Sequence, residues 1–167
     1  MGREIRRVPQ TWEHPKNERG QFIPLFDGYN KALADFTEKA AKDGMEAAID
    51  WYGGGPRKED YMPDWPAEER THLMMYEDCS EGTPISPAFA TPDELAHWLA
   101  DNGASAFGSD TATYEQWLAM CKRGWAPSMV IDGAGARRGV ADSSNTAVRV
   151  GEPVPSRAGS QNKSGEE

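Results

Sequence analysis

The stretch from Thr71 to Pro127 constrains the fold of this chain more than any other. At its centre lies Thr91-Pro92-Asp93-Glu94, which places a hydroxyl, a proline and a carboxylate where a helix start needs them. A threonine at the N-cap accepts from the N3 backbone N–H, a glutamate at N3 reaches back to the N-cap N–H, and a proline at N1 has no N–H to leave orphaned. The pattern predicts a helix from Pro92 to the stop at Asn102-Gly103, with Leu95, Trp98 and Leu99 as its buried stripe. A loop of small residues follows, and a second helix is predicted to begin near Thr111 or Thr113. Its stripe is Tyr114, Trp117, Leu118 and Cys121, at i, i+3, i+4 and i+7. Lys122 and Arg123 suit the negative end of its dipole, and Gly124 is the stop.

Thr71 to Asp78 reads as the central strand, because Leu-Met-Met-Tyr is apolar on both faces. Cys79 to Pro84 is a turn, and Ile85 to Phe89 is extended between constraining prolines at 84 and 87. Ser128 to Ile131 is a predicted partner strand. Glu4 to Val8 is a predicted short edge strand that Pro9, lacking a donor, would end. Two helices and two or three strands packed together make an α+β domain.

The longest helical pattern is Tyr29 to Tyr52. Leu33, Phe36, Ala40, Met45, Ala48, Ile49 and Tyr52 mark one apolar face, with a bend expected at Gly44. Asp35–Lys39 and Glu38–Lys42 are the expected i,i+4 pairs. Gly53-Gly54-Gly55-Pro56 stops the helix. It is no phosphate loop, since it follows a helix and no Gly-Lys-Ser/Thr comes after it. Residues 56–70 form a charged linker in which Tyr61 and Trp65 either pack on the core or serve as a contact patch. Beyond Asp132 the chain turns to Gly, Ala, Ser, Arg, Pro and Glu, with no aromatic residue. The expected architecture is a single α+β domain over residues 1–132, with a short antiparallel or mixed sheet on about three helices. A disordered tail is expected over 133–167.

Charge narrows the function. Residues 21–100 carry six basic and sixteen acidic side chains, and the chain as a whole carries −9. Binding of a phosphate backbone by this body is therefore disfavoured, and a basic protein surface is the better match. The N-terminal twenty residues are the exception, with Arg3, Arg6, Arg7, Lys16 and Arg19 beside Trp12. They form a candidate basic arm for nucleic acid. No apolar run approaches the length of a membrane span.

Candidates for chemistry are few. Cys79 could act as a nucleophile with His72 as base and Glu81 or Asp78 as orienter. Nearby carboxylates would raise the thiol pKa and blunt it. Cys79 and Cys121 have no metal-knuckle spacing, and no cofactor or metal is expected. The expected partner-binding residues are Tyr61, Trp65, Glu77, Asp78, Glu81 and Trp125.

Tyr76-Glu77, Ser80 to Phe89, Thr91 to Leu99 and Gly124 to Ser128 together give a pattern SEGxPxSPxF, TPxELxxWL, GWAPS. With Arg3 to Pro9 and Trp12, this resembles a group of small proteins encoded by tailed bacteriophages, over roughly residues 3–131. The resemblance implies a phage or prophage origin and action in the cytoplasm of a bacterial host, and it assigns no catalytic residue. Some members of the group carry Cys-x-x-Cys pairs that this chain lacks. The expected function is that of an accessory protein that binds a host or phage protein. One version is an acidic inhibitor of a nucleic-acid-binding defence complex. The alternatives are a small enzyme at the Cys79–Glu81 corner and a nucleic-acid binder using the basic arm.

Overall fold

The computed structural model describes residues 2–77, 82–127, 129–132 and 135–140. The described residues fall into two compact units, residues 2–27 with 63–140 and residues 28–62. The fold class is α+β, with an antiparallel sheet.

In the larger unit, strands β1 (Arg3–Val8), β2 (His72–Glu77) and β3 (Trp125–Ala126) form a sheet of order β2-β1-β3. All pairings are antiparallel, with Arg3 opposite Glu77 and Val8 opposite His72, and Glu4 opposite Trp125. Side chains alternate between the two faces of a strand. Leu73 and Met75 enter a core with Leu95, Leu99, Trp117 and Met120, and Ile5 packs against it. Arg6, Val8, Met74 and Tyr76 lie on the opposite face and are also buried.

The expected roles of centre and edge are exchanged. β1 is the middle strand, and β2 has its outer edge covered by residues 83–89. Leu73 and Phe89 exchange backbone hydrogen bonds of 2.8 and 2.9 Å, Ile85 N–H donates to the Met75 carbonyl at 2.8 Å, and Glu77 N–H to that of Thr83 at 3.0 Å. The Ser86 hydroxyl accepts from Met75 N–H at 3.0 Å. Pro84 and Pro87 lack donors, so this segment follows the strand edge without becoming a regular strand.

Two arginines expected in the basic arm are buried in β1. Arg3 is 2% exposed and donates to the Ser105 carbonyl at 2.9 Å, the Ser105 hydroxyl at 3.1 Å and the Gly2 carbonyl at 3.1 Å. Arg6 is 5% exposed, pairs with Glu4 and donates to the Leu25 carbonyl at 2.7 Å. A buried guanidinium is tolerated where its donors are satisfied, and here each one braces a loop from opposite faces of the strand.

Helices α3 (Pro92–Asp101) and α4 (Tyr114–Arg123) start as the sequence predicts. Thr91 and Glu94 complete a capping box, as do Thr113 and Gln116. Each N-cap is worth about 1 kcal/mol. α3 buries Leu95, Ala96 and Leu99, while Trp98 is half-buried against Phe89. α4 buries Trp117, Met120 and Cys121 and ends at left-handed Gly124. Burial pushes the Cys121 thiol up to about 12, so it is an inert core residue.

Two glycines are fixed by close approach. At Gly82, with φ of 55°, a Cβ would lie 2.1 Å from the Leu25 carbonyl oxygen. At Gly139 a Cβ would lie 1.8 Å from the carbonyl oxygen of Pro127. Gly139 follows a second ladder, β4 (Met129–Asp132) antiparallel to β5 (Gly135–Arg138). The expected partner strand near 128–131 therefore pairs with β5, and Trp125-Ala126 takes the place beside β1. Strand β5 lies beyond Asp132, and Val140, 2% exposed, joins the core. Residues 141–167 lie outside the described residues.

The smaller unit holds α1 (Tyr29–Asp43) and α2 (Met45–Tyr52). The expected bend is a break. Gly44 has φ 95° and ψ 156°, a conformation open only to glycine. Its N–H closes α1 on the Ala40 carbonyl at 3.0 Å, and its carbonyl opens α2 by accepting from Ala48 at 3.1 Å. The ion pairs are Lys31–Asp35 at 2.5 Å and Lys39–Asp43 at 2.7 Å, in place of Asp35–Lys39 and Glu38–Lys42. A cation N-terminal to its partner is the less favourable order, so these exposed pairs add little. Left-handed Gly53 ends α2 as expected.

Candidate functional site

α2 is an eight-residue helix with one buried residue, Ala48. Met45 is 58% exposed, Ile49 48%, Trp51 59% and Tyr52 39%. At about 100° per residue, Met45, Ile49 and Tyr52 share one arc of about 60°, with Trp51 beyond Ala48 on its other flank. α1 holds this helix by two ring contacts. Phe36 meets Tyr52 at 5.9 Å, and the Lys39 ammonium lies 4.7 Å from the centre of the Trp51 ring. The same Lys39 pairs with Asp43, whose carboxyl is held below its usual range by that hydrogen bond. Leu33 of α1 adds a further exposed apolar side chain. Exposed apolar side chains grouped in this way, rather than scattered singly, mark interaction surfaces.

The residues expected to bind a partner are not brought together. Tyr61 is half-buried and meets Tyr29 edge-on at 5.4 Å, with its hydroxyl pKa raised first by burial, then by Asp60 and Tyr29. Trp65 is half-buried and meets Trp12 at 4.7 Å in a T-shaped pair. Packing therefore accounts for much of both rings. Glu77 is half-buried at the end of β2, 3.9 Å from Arg3. Trp125 is 42% exposed in β3, and its carbonyl accepts from Arg123 at 3.1 Å. Asp78, Cys79 and Glu81 lie outside the described residues, so the corner expected to carry chemistry does too. His72, its candidate base, is half-buried and contacts the Thr71 hydroxyl at 2.9 Å. In the basic arm, Arg3 and Arg6 are buried in the sheet, leaving Arg7, Lys16 and Arg19 at the surface.

A buried polar node escaped the sequence reading. His14, 6% exposed, has Nε2 2.6 Å from the Ile23 carbonyl and Nδ1 3.1 Å from the Tyr76 hydroxyl. A carbonyl only accepts, so Nε2 carries the proton and the Tyr76 O–H donates to Nδ1. Trp12 Nε1–H donates to the same hydroxyl at 3.2 Å, and the Arg6 guanidinium lies 4.3 Å over the Tyr76 ring. Burial lowers the His14 pKa, the Ile23 bond opposes this, and Arg6 lowers it further. Both ring nitrogens are engaged inside the fold, which makes the node a clasp for the loop between β1 and Leu25, with no open position for a substrate. Contacts 62 residues apart leave no local signal in sequence.

Exposed Asp93 and His97 cluster with half-buried Tyr114. The Tyr114 hydroxyl donates to Asp93, which raises its pKa, and the His97 ring stacks on Tyr114 at 4.1 Å. This ties α3 to α4. An open recess of about 280 Å³ on the N-terminal loop is lined by Asn17, Glu18, Arg19 and Gln21 and holds no paired acid and base. Among the described residues no three His, Cys, Asp or Glu side chains are placed to hold a metal ion, and no helix is long and apolar enough to cross a membrane.

Compared with known protein families, with curated proteins and with solved structures, the chain matches none.

Proposed function

We propose that this chain is a protein-binding accessory factor whose contact surface is the apolar face of α2. One observation carries the reading: of eight residues in α2 only Ala48 is buried, while Met45, Ile49, Trp51 and Tyr52 are 39–59% exposed. A fold gains nothing from displaying four large apolar side chains to water, whereas a binding partner would cover them. The acidic balance of residues 21–100 supports a protein partner over a nucleic acid. The resemblance of residues 3–131 to tailed-phage proteins supports a setting in the cytoplasm of a bacterial host. An acidic inhibitor of a nucleic-acid-binding defence complex is the sharpest version of this function, because such a target offers a basic surface.

The test is affinity capture from nuclease-treated bacterial lysate, using tagged wild type and Ile49→Ser/Trp51→Ser. Both positions are exposed, but Trp51 also meets Lys39, so the melting temperature of the variant is measured beside wild type, and Met45→Ser/Ile49→Ser, which leaves both ring contacts to α1 intact, is the companion variant. The expected result is a stoichiometric protein partner that survives nuclease with wild type and falls at least about tenfold with the variant, a loss of about 1.4 kcal/mol. Retention of the partner by the variant, or capture that vanishes with nuclease, would overturn the proposal.

A further inference from the structure

The charge beside the α2 face defines the chemistry of what covers it. Glu46 and Asp50 are exposed and lie about 60° and 100° around the helix from Ile49. No ion pair engages either among the described residues. The nearby Asp35 and Asp43 already have lysine partners. The surface is thus an apolar ridge of Met45, Ile49 and Tyr52 running beside a row of two uncompensated carboxylates.

We infer that this ridge docks a basic amphipathic helical segment of another protein, apolar on the side facing Ile49 and bearing Lys or Arg opposite Glu46 and Asp50. This rests on the reading of α2 as the contact surface and adds the identity of its occupant by chemical class. Charge complementarity selects that class, since opposite charges across an interface fix register and speed association. A second copy of this chain is the poorer occupant, because it would bring the same carboxylates against one another. The chain's own residues 141–167 are poorer still, because their only large apolar side chains are Val148, Val150 and Val154. An anionic lipid surface would be repelled by the same two carboxylates.

The probe is a labelled synthetic peptide of about 18 residues, or five helical turns, with Leu at helical spacing and Lys elsewhere. The controls are a scrambled peptide of the same composition and a Leu/Glu counterpart. Binding to the full chain is read by fluorescence anisotropy. The expected result is binding by the patterned Leu/Lys peptide alone, weakened about tenfold by Ile49→Ser and also by Glu46→Lys/Asp50→Lys, and weakened by salt. Equal binding of the scrambled peptide, or indifference to both variants, would overturn the inference. Failure of the peptide while capture from lysate still depends on Ile49 and Trp51 would also sink it, and would leave the contact surface standing. Loss of that dependence on Ile49 and Trp51 would instead remove the contact surface itself.

Discussion

Replacing Trp117 with alanine is expected to cost about 3–5 kcal/mol of folding stability, the usual range for a large aromatic removed from a core. Trp117 is fully buried in α4 and belongs to the cluster of Leu73, Met75, Leu95, Leu99 and Met120 that joins the sheet to both helices. Small domains are stable by only about 5–15 kcal/mol, so the variant stands near the limit of folding. A companion substitution separates packing from polarity. The Trp117 indole nitrogen is buried without a hydrogen-bond partner among the described residues. Trp117→Phe removes that unsatisfied group while keeping an aromatic ring, so its loss is expected to be well under that of alanine. Urea unfolding measures both. A loss below about 1 kcal/mol for alanine would mean that the core is not built around this residue.

Stability is expected to fall as the pH drops below about 6.5, through His14. The imidazole is held neutral in the fold, mainly by burial. In the unfolded chain it titrates near its ordinary value of 6.5. Its folded pKa lies lower, so below 6.5 the unfolded chain takes up a proton that the folded chain resists. The contribution is complete above 6.5 and is lost as pH falls from there towards the lowered folded value. One proton sets a ceiling of about 1.4 kcal/mol per pH unit on the slope. Protonation would also place a donor on Nδ1 against the Tyr76 hydroxyl and a second cation beside Arg6. His14→Gln keeps an acceptor and a donor but does not titrate. Its urea midpoint is expected to be flatter than that of wild type between pH 7.5 and 5.5, a window set around the unperturbed histidine value of about 6.5. All other ionisable groups are common to the two proteins and cancel in the difference. Parallel pH profiles for the two would contradict the clasp.

The parts of the fold legible in the sequence are those written in local chemistry. Thr91 with Glu94 announces α3 because a capping box needs only neighbours three residues apart. Gly53 and Gly124 announce helix ends because left-handed backbone is open to glycine at little cost. The strand order was not legible. Arg3 and Arg6 read as part of a basic arm, yet each is buried in β1 and satisfied by a loop that sequence spacing does not bring near. The α2 surface shows the same limit from the other side. Periodicity finds the apolar stripe of Met45, Ala48, Ile49 and Tyr52, but a stripe does not say whether anything covers it. Gly44 ends α1 and starts α2, leaving a helix of two turns with a single buried residue. Trp51, off the stripe and stacked on Lys39, gave no periodic signal at all.

The most direct test of the central claim is hydrogen exchange on the captured complex, compared with the free protein. The proposed function predicts added protection over residues 45–52, and little change in β1, β2, α3 and α4, whose amides are already bonded within the fold. Protection confined to the β3 region around Trp125 or to residues 83–89, with α2 exchanging as in the free protein, would contradict it.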